Sequence, residues 1–372
     1  MKVALVHDYI KEYGGAERTL KTLTEIFPKA PIYTAFRVKG STADRQFSDR
    51  EIHESFLAPL LKIWRLYSPL RFLAPVIWKS MDLSKYDLVI TSTSWYITRG
   101  FKVGPKTKLI CYCHTPPRWL YGYETSVGFT KYWPVKIYAA IVGHFMRMYD
   151  FQTAQKIDFW IANSKNVAAR IRKFYRKSSY VIYPPIDVEV IIKATKDLKK
   201  EDYFLIVSRL VGAKGLEEAA KAAKNLGLEL RIVGEAHGFG EVEKKLKKVA
   251  GKRVKLLGRV SDKKLYELYG RAKGFIALAR DEDFGMTLVE AMAAGTPVIA
   301  FNGGGFRESV VDGVTGILID DTDETTLAKA IKRFNRIKWD KKKLQAQAKK
   351  FSKERFKKEI KEFVKSHAKA KQ

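Results

Sequence analysis

The stretch Gly274–Ile319 reads GFIALARDEDFGMTLVEAMAAGTPVIAFNGGGFRESVVDGVTGILI. An apolar run, Phe275 to Leu278, meets an acidic elbow, Asp281-Glu282-Asp283-Phe284-Gly285, and a helical segment follows from Met286 to Ala294. Gly295 ends that segment, and Thr296-Pro297 leads into a second apolar run, Val298 to Phe301. The order strand, loop, helix, strand belongs to an α/β protein. Such folds place ligands at an elbow of this kind, because the helix amino terminus offers unpaired N–H groups there. Glu282 lies in the elbow and Glu290 inside the helix, with seven residues between them. With the helix beside a ligand, Glu290 presents its carboxylate about one turn deeper than Glu282. Two readings stay open at this point. One acid binds hydroxyls near the elbow while the other holds a second sugar or ribose, or both are solvated acids near a helix start, where acids are favoured anyway.

The wider setting carries a resemblance. Glu282-x7-Glu290 within EDFGMTLVEAMAAGTPVIAF, followed by GGGFRESV and DGVTGIL, resembles the donor-binding signature of family 4 glycosyltransferases, retaining enzymes of GT-B fold. The resemblance implies an α/β architecture of two Rossmann-like domains facing a cleft. Residues 1–186 then bind the acceptor, residues 187–351 bind the nucleotide sugar, and a final helix, 352–372, crosses back onto the first domain.

Composition bounds the alternatives. A chain of 372 residues with 46% hydrophobic content has room for two domains with cores of their own and excludes extensive disorder. Its 70 basic and 40 acidic residues give a net charge of +30, a field that favours anionic partners such as nucleic acid, acidic phospholipid or phosphorylated substrates. A Lys-rich solubility surface accounts for part of the excess. The two cysteines, Cys111 and Cys113, stand two apart on one face of an expected strand and read as buried, reduced thiols. No signal-peptide pattern opens the sequence and no apolar run reaches about 18 residues, so a cytoplasmic location is expected, with peripheral attachment to the inner face of the membrane as an extension.

Along the first half, Lys2 to Asp8 is a short apolar strand, and Gly14-Gly15 forms a turn before an amphipathic helix from Ala16 to Ile26. By itself the glycine pair is a tight turn. The resemblance implies that Gly14 and Gly15 bring backbone N–H groups to the donor's phosphate or sugar. From His53 to Met81, and again from Lys131 to Met148, aromatic and aliphatic residues recur at helical spacing between basic ones. Segments of this kind lie in a membrane interface or pack on the amino-terminal core. Lys108 to His114 is a strand, and His114 at its carboxyl end faces the crevice of an α/β sheet. The phrase CYCHTPPRW is similar to a subgroup that builds bacterial surface polysaccharides, several of its members mannosyltransferases, and implies that His114 contacts the donor sugar near the reacting carbon. The double proline of YPPID, ending at Asp187, reads as a linker, and the resemblance implies that the phrase marks the hinge.

The second half opens on the strand Tyr203 to Ser208 and a glycine loop flanked by Arg209 and Lys214. A guanidinium fork, an ammonium and free amides make a cradle for a diphosphate, and the resemblance assigns the same pair to it. It also places the nucleotide base on the backbone at Gly258 and Val260, the donor sugar on Glu282 and the ribose on Glu290. The helix start at Phe284, Gly285, Met286 and Thr287 completes the donor site. Asp281-x-Asp283 superficially matches a metal motif of another glycosyltransferase architecture, but it falls inside the Glu-x7-Glu setting and no metal or other cofactor is expected.

The expected activity is hexosyl transfer from a nucleoside-diphosphate sugar, with GDP-mannose as the first choice, to a glycan or polyprenyl-linked acceptor. His114, Glu282, Arg209 and Lys214 carry the chemistry. The alternatives are a glycogen- or sucrose-type transferase using a UDP- or ADP-sugar, and a basic nucleic-acid-binding protein. The chain holds no recognised nucleic-acid motif, and no nucleic-acid partner is expected.

Overall fold

The computed structural model describes residues 1–63, 66–123, 133–235 and 241–367; Arg65 in the first aromatic segment, Lys131 and Tyr132 at the start of the second, and the final Lys-Ala run lie outside them. Short apolar runs with no polar interruption become parallel strands, because such strands are covered by helices on both faces. The first sheet is built from β1 (Val3–His7), β2 (Ile32–Thr34), β3 (Ile52–Glu54), β4 (Leu88–Thr93), β5 (Lys108–Cys113), β6 (Phe159–Ala162) and β7 (Tyr180–Val181), in the order β3-β2-β1-β4-β5-β6-β7 with parallel pairs. The second sheet uses β8 (Tyr203–Val207), β9 (Glu229–Val233), β10 (Val254–Leu256), β11 (Gly274–Ala277), β12 (Val298–Phe301) and β13 (Gly316–Ile319), in the order β10-β9-β8-β11-β12-β13, again parallel. Two parallel-sheet α/β units of this kind are the architecture of GT-B proteins.

One unit holds Met1–Tyr123, the described residues from 133 to 185, and Glu354 onward; the other holds Ile186–Lys353. In the first, side chains alternate across the sheet as a two-residue period requires. Leu5, Ile90, Ile110 and Tyr112 enter one core with Leu20 and Leu23 of α1 (Gly15–Ile26). Ala4, Val6, Val89, Cys111 and Cys113 enter the other with α2 (Ala58–Lys62), α3 (Ala74–Lys79), α4 (Trp133–Gln155) and α5 (Lys165–Tyr175). Both thiols are therefore buried on one face and form no disulfide, and burial pushes the Cys111 thiol up to about 11.

The second unit carries α6 (Val188–Ala194), α7 (Leu216–Asn225), α8 (Glu241–Val249), α9 (Asp262–Arg271), α10 (Met286–Ala293), α11 (Phe306–Ser309), α12 (Glu324–Arg336) and α13 (Lys341–Lys349). α7 and α12 bury Leu216, Ala219, Leu327, Ile331 and Phe334 against Ile206, Leu230, Ile276 and Ile299 of the sheet. Side-chain caps set several starts: Ser164 accepts from Val167 N–H at 3.0 Å and Asp323 from Thr326 N–H at 2.9 Å, each contributing about 1 kcal/mol. The last helix, α14 (Lys353–His367), packs Phe356, Ile360, Phe363 and Val364 into the α1 side of the first sheet. Phe356 meets Tyr112 with ring centroids 5.7 Å apart, and Phe363 meets Phe159 at 6.0 Å.

Each of the two basic-aromatic segments is partly buried and partly exposed. Leu61, Ile77 and Trp78 go into the core, while Phe56, Leu60, Ile63, Phe72 and Val76 stay exposed. α4 carries an exposed stripe, with Trp133 at 72%, Ile141 at 56% and Phe145 at 61%, joined by Ile137 and Met148 at three- and four-residue steps. Tyr138 Oη donates to Pro69 O, and the Phe72 and Tyr138 rings lie 6.5 Å apart, so the two exposed apolar surfaces adjoin. Among the described residues no helix is long and apolar enough to cross a membrane.

Candidate active site

Each sheet reverses its strand order once, between β1 and β4 in the first and between β8 and β11 in the second, and the carboxyl-end crevice at such a reversal is where open α/β sheets bind ligands. In the second unit two loops flank that crevice, one after β8 and one after β11. They meet at Gly215, whose φ of +65° no side chain adopts easily and where a Cβ would lie 2.6 Å from Leu278 Cβ. Lys214, the residue before it, is thereby carried to the acidic elbow, where its ammonium ion-pairs with Glu282. Arg209 lies earlier in the same loop, exposed, and among the described residues its guanidinium has no ion-pair or hydrogen-bond partner.

The triple glycine shapes the elbow from behind. Gly305 N–H donates to Glu282 O at 2.9 Å, and a Cβ on Gly304 would stand 2.4 Å from that same oxygen. Gly285, at φ +89°, then starts α10, whose first turn brings Met286 and Thr287 to the half-buried rim. Phe284 is only 2% exposed and packs on Phe351 at 5.3 Å, so its part in a ligand site is confined to the backbone. Glu290 lies on the inward face of α10, 3% exposed, and accepts a 2.8 Å bond from Tyr269 Oη. That is a buried position, and it removes the reading of Glu290 as a solvated helix-start acid. Beyond β8, Leu210 N–H donates to Glu235 O at 3.0 Å and Gly234 N–H to Gly258 O at 2.9 Å. These bonds bring the ends of β9 and β10, with Gly258 exposed and Val260 half-buried, alongside the Arg209 loop. Among the described residues no three His, Cys, Asp or Glu side chains gather as metal ligands would.

The first unit places its candidates around the β1/β4 reversal. Gly14 precedes α1, but its N–H is already taken by Glu17 Oε2 at 2.9 Å; Gly15 is exposed at the first helical position. His114 follows β5 and is nearly buried, its Nε2 2.8 Å from Ser92 Oγ. Burial, with neighbouring His7 adding to it, lowers His114 from the ordinary 6.5 to about 3, so the ring is neutral at neutral pH.

His7, Asp8, Glu17 and Ser92 also gather here and escape sequence reasoning. His7 ends β1 and lies beside Ser92 of β4; its Nδ1 is 3.1 Å from both Ser92 O and Ser92 Oγ, and its Nε2 is 3.4 Å from Glu17 Oε1. Asp8, the next residue, accepts from Ser94 N–H at 2.9 Å, Trp95 N–H at 2.6 Å and the Thr98 hydroxyl, and so clamps the loop after β4 to β1. The clamp spans Ile97, a β-branched residue held at φ +52°. Only the position of His7 and Asp8 at a strand's carboxyl end could have marked them in advance.

Two family models match the chain, "Glycosyltransferase Family 4" over residues 13–190 and "Glycosyl transferases group 1" over residues 187–355. Between them they take in nearly its whole length, and the chain belongs to the family 4 type of GT-B glycosyltransferases. An uncharacterized glycosyltransferase of Methanocaldococcus jannaschii is 26% identical over 192 residues, 52% of this chain and 53% of that protein. The chain thus spans about half the length of that curated relative. A lipopolysaccharide core biosynthesis mannosyltransferase of Rhizobium leguminosarum is 39% identical over 79 residues, 21% of this chain and 22% of its own. Among solved structures, Anabaena HepE in complex with UDP-glucose superimposes with a TM-score of 0.68 at 18% identity, covering 98% of this chain and 100% of HepE; the likeness is one of fold.

Proposed function

We propose that this protein transfers a hexosyl group from a nucleoside-diphosphate sugar to a glycan or polyprenyl-linked acceptor in the assembly of a cell-surface polysaccharide, with retention of the anomeric configuration. The observation that carries the proposal is the ion pair of Lys214 with Glu282 at the strand-order reversal of the second sheet, with Arg209 earlier in the Lys214 loop and the α10 amino terminus just after Glu282. Two cations and a helix start are what a departing diphosphate needs. As the bond from the anomeric carbon to the phosphate oxygen breaks, negative charge grows on the diphosphate and positive character on the sugar. Groups already aimed at that anion lower the barrier without reorganising. The acceptor hydroxyl oxygen forms the new bond on the face the phosphate leaves, and its proton passes to the departing phosphate oxygen. No metal is assigned to the site, since Arg209 and Lys214 supply the positive charge.

Glu282 and His114 are assigned to the donor sugar, Glu290 to the ribose, Gly258 and Val260 to the base, and the Gly14-Gly15 turn to the donor's phosphate or sugar through the Gly15 backbone, the Gly14 N–H being held by Glu17. GDP-mannose is the first choice of donor, supported by CYCHTPPRW and by the mannosyltransferase likeness. A UDP-sugar is the second, supported by the fold shared with HepE in its UDP-glucose complex. The work is assigned to the cytoplasmic face of the membrane. The adjoining apolar surfaces of the first unit, in a chain of net charge +30, suit an anionic bilayer.

The deciding experiment measures thermal stabilisation and donor hydrolysis with a panel of GDP-, UDP- and ADP-sugars, with and without EDTA. A shift for one diphosphate that is insensitive to EDTA and lost in Lys214→Ala is the expected result. No shift with any donor would defeat the proposal.

A further inference from the structure

The hydrogen bonds around β1, β4 and β5 have a direction, because one of their partners can only accept. Ser92 O is a backbone carbonyl, and His7 Nδ1 lies 3.1 Å from it. His7 Nδ1 therefore carries a proton and donates. The same nitrogen stands 3.1 Å from Ser92 Oγ, so the hydroxyl meets a donor on that side and is itself the acceptor there. Among the described residues its own proton has one remaining acceptor within reach, His114 Nε2 at 2.8 Å. A nitrogen that accepts is unprotonated, and a neutral imidazole with Nε2 unprotonated carries its proton on Nδ1. Among the described residues His114 Nδ1 has no hydrogen-bond partner, which leaves its N–H for a ligand. Glu17 meets the start of the chain by the same rule: a carboxylate only accepts, so a bond from His7 Nε2, 3.4 Å from one of its oxygens, requires a proton on that nitrogen as well, and the other carboxylate oxygen takes the Gly14 N–H at 2.9 Å.

We propose that His7 and Ser92, steadied by Glu17, are positioning residues that fix His114 as its Nδ1–H tautomer, so that the ring presents a hydrogen-bond donor to an acceptor oxygen of the bound sugar. The role toward a sugar rests on the function proposed above; the tautomer does not. The arrangement makes His114 a neutral donor rather than a base, and it ties the glycine turn before α1 to the histidine through three side chains, Glu17, His7 and Ser92. A hydroxyl or ring oxygen fits that donor, whereas an N–H or a cation would meet it unfavourably.

The test is the nitrogen resonances of His114 in protein labelled with 15N histidine, assigned by their loss in His114→Gln, and read alongside steady-state donor turnover. At neutral pH the relay requires a protonated-type Nδ1 and an unprotonated-type Nε2. Ser92→Ala should shift His114 to the other tautomer or to a mixture, and lower kcat about tenfold with little change in donor KM, and Ser92→Thr should restore both. A protonated Nε2 in the unmodified protein, or an unchanged tautomer in folded Ser92→Ala, overturns the proposal. The resonances are read without substrate. An Nδ1–H tautomer lost in Ser92→Ala upholds the relay even where no sugar nucleotide is turned over, and that second result would count against hexosyl transfer alone.

Discussion

Lys214 and Glu282 stand 68 residues apart in sequence and are ion-paired at the strand-order reversal of the second sheet. Both side chains are about one-fifth exposed, so the pair is neither a solvated surface contact nor a sealed one. On the function proposed above, an incoming diphosphate would compete with the carboxylate for the ammonium and free Glu282 to accept from sugar hydroxyls, so that binding of the two ends of the donor would be coupled through one exchange of partners.

Lys214→Ala should lower kcat/KM for the preferred donor about 10²- to 10³-fold, the range for removing a group aimed at developing negative charge. Lys214→Arg should retain more activity than Lys214→Ala, since it keeps the charge while changing its shape. Arg209→Ala should act in the same direction. Initial rates across a donor series decide it, and near-normal rates in both alanine variants would remove Arg209 and Lys214 from the site.

Glu290→Gln keeps the size of the side chain and its capacity to accept from Tyr269 Oη, and removes the charge. With Glu290 on the ribose, calorimetric affinity for the free nucleoside diphosphate should fall about tenfold, within the range for a hydrogen bond to a charged group. Unchanged affinity would leave Glu290 with the packing of α10 against α9.

His114 gives the protein an acid-sensitive component. An unfolded chain protonates this ring below the ordinary 6.5, whereas the folded one resists until about 3. The stability it contributes is complete above the first value and is lost as pH falls toward the second, at up to about 1.4 kcal/mol per pH unit. Urea unfolding at about pH 7 and about pH 4.5 should therefore show a smaller loss for His114→Gln than for the unmodified protein.

The docking of α14 is a matter of packing. Ile360→Ala removes a fully buried branched side chain from the first core and should cost about 2–5 kcal/mol in denaturant unfolding of that unit. Lys358→Ala, on the exposed side of the same helix, should change stability by less than about 0.5 kcal/mol.

Ile141→Ser with Phe145→Ser removes two members of the exposed α4 stripe. Co-sedimentation with anionic vesicles at low salt should be strong for the unmodified protein and much reduced for this variant, with donor turnover in solution unaffected. Absence of binding by the unmodified protein would end the membrane proposal.

The parts legible in the sequence are those whose cause is local. Val3–His7, Lys108–Cys113 and Val298–Phe301 announce themselves because a strand buried on both faces must be apolar throughout. The Arg209–Gly215 loop and the elbow at Glu282 follow from glycines that end strands and start helices. β7, two residues long, and β3, only half-buried, leave no comparable signal. The Asp8 clamp and the contacts of His7 depend on register: His7 meets Ser92 because β1 pairs with β4, and those residues are 85 positions apart. Periodicity detected the amphipathic segments at 53–81 and 131–148 but not which side of each would face outward, since Leu61 and Leu60 are equally apolar and only one is buried.

Because α14 completes the first unit from beyond residue 353, the order of synthesis and the order of folding disagree. A nascent chain emerging from the ribosome presents β1 to β7 long before Phe356, Ile360 and Phe363 exist to cover Tyr112 and Phe159, whereas every strand of the second unit is contiguous. Domains ordinarily mature from the amino terminus during translation. Here the leading unit has to wait, partly uncovered, for the trailing one to be made, and chaperone engagement should concentrate on the first sheet for the whole of that interval.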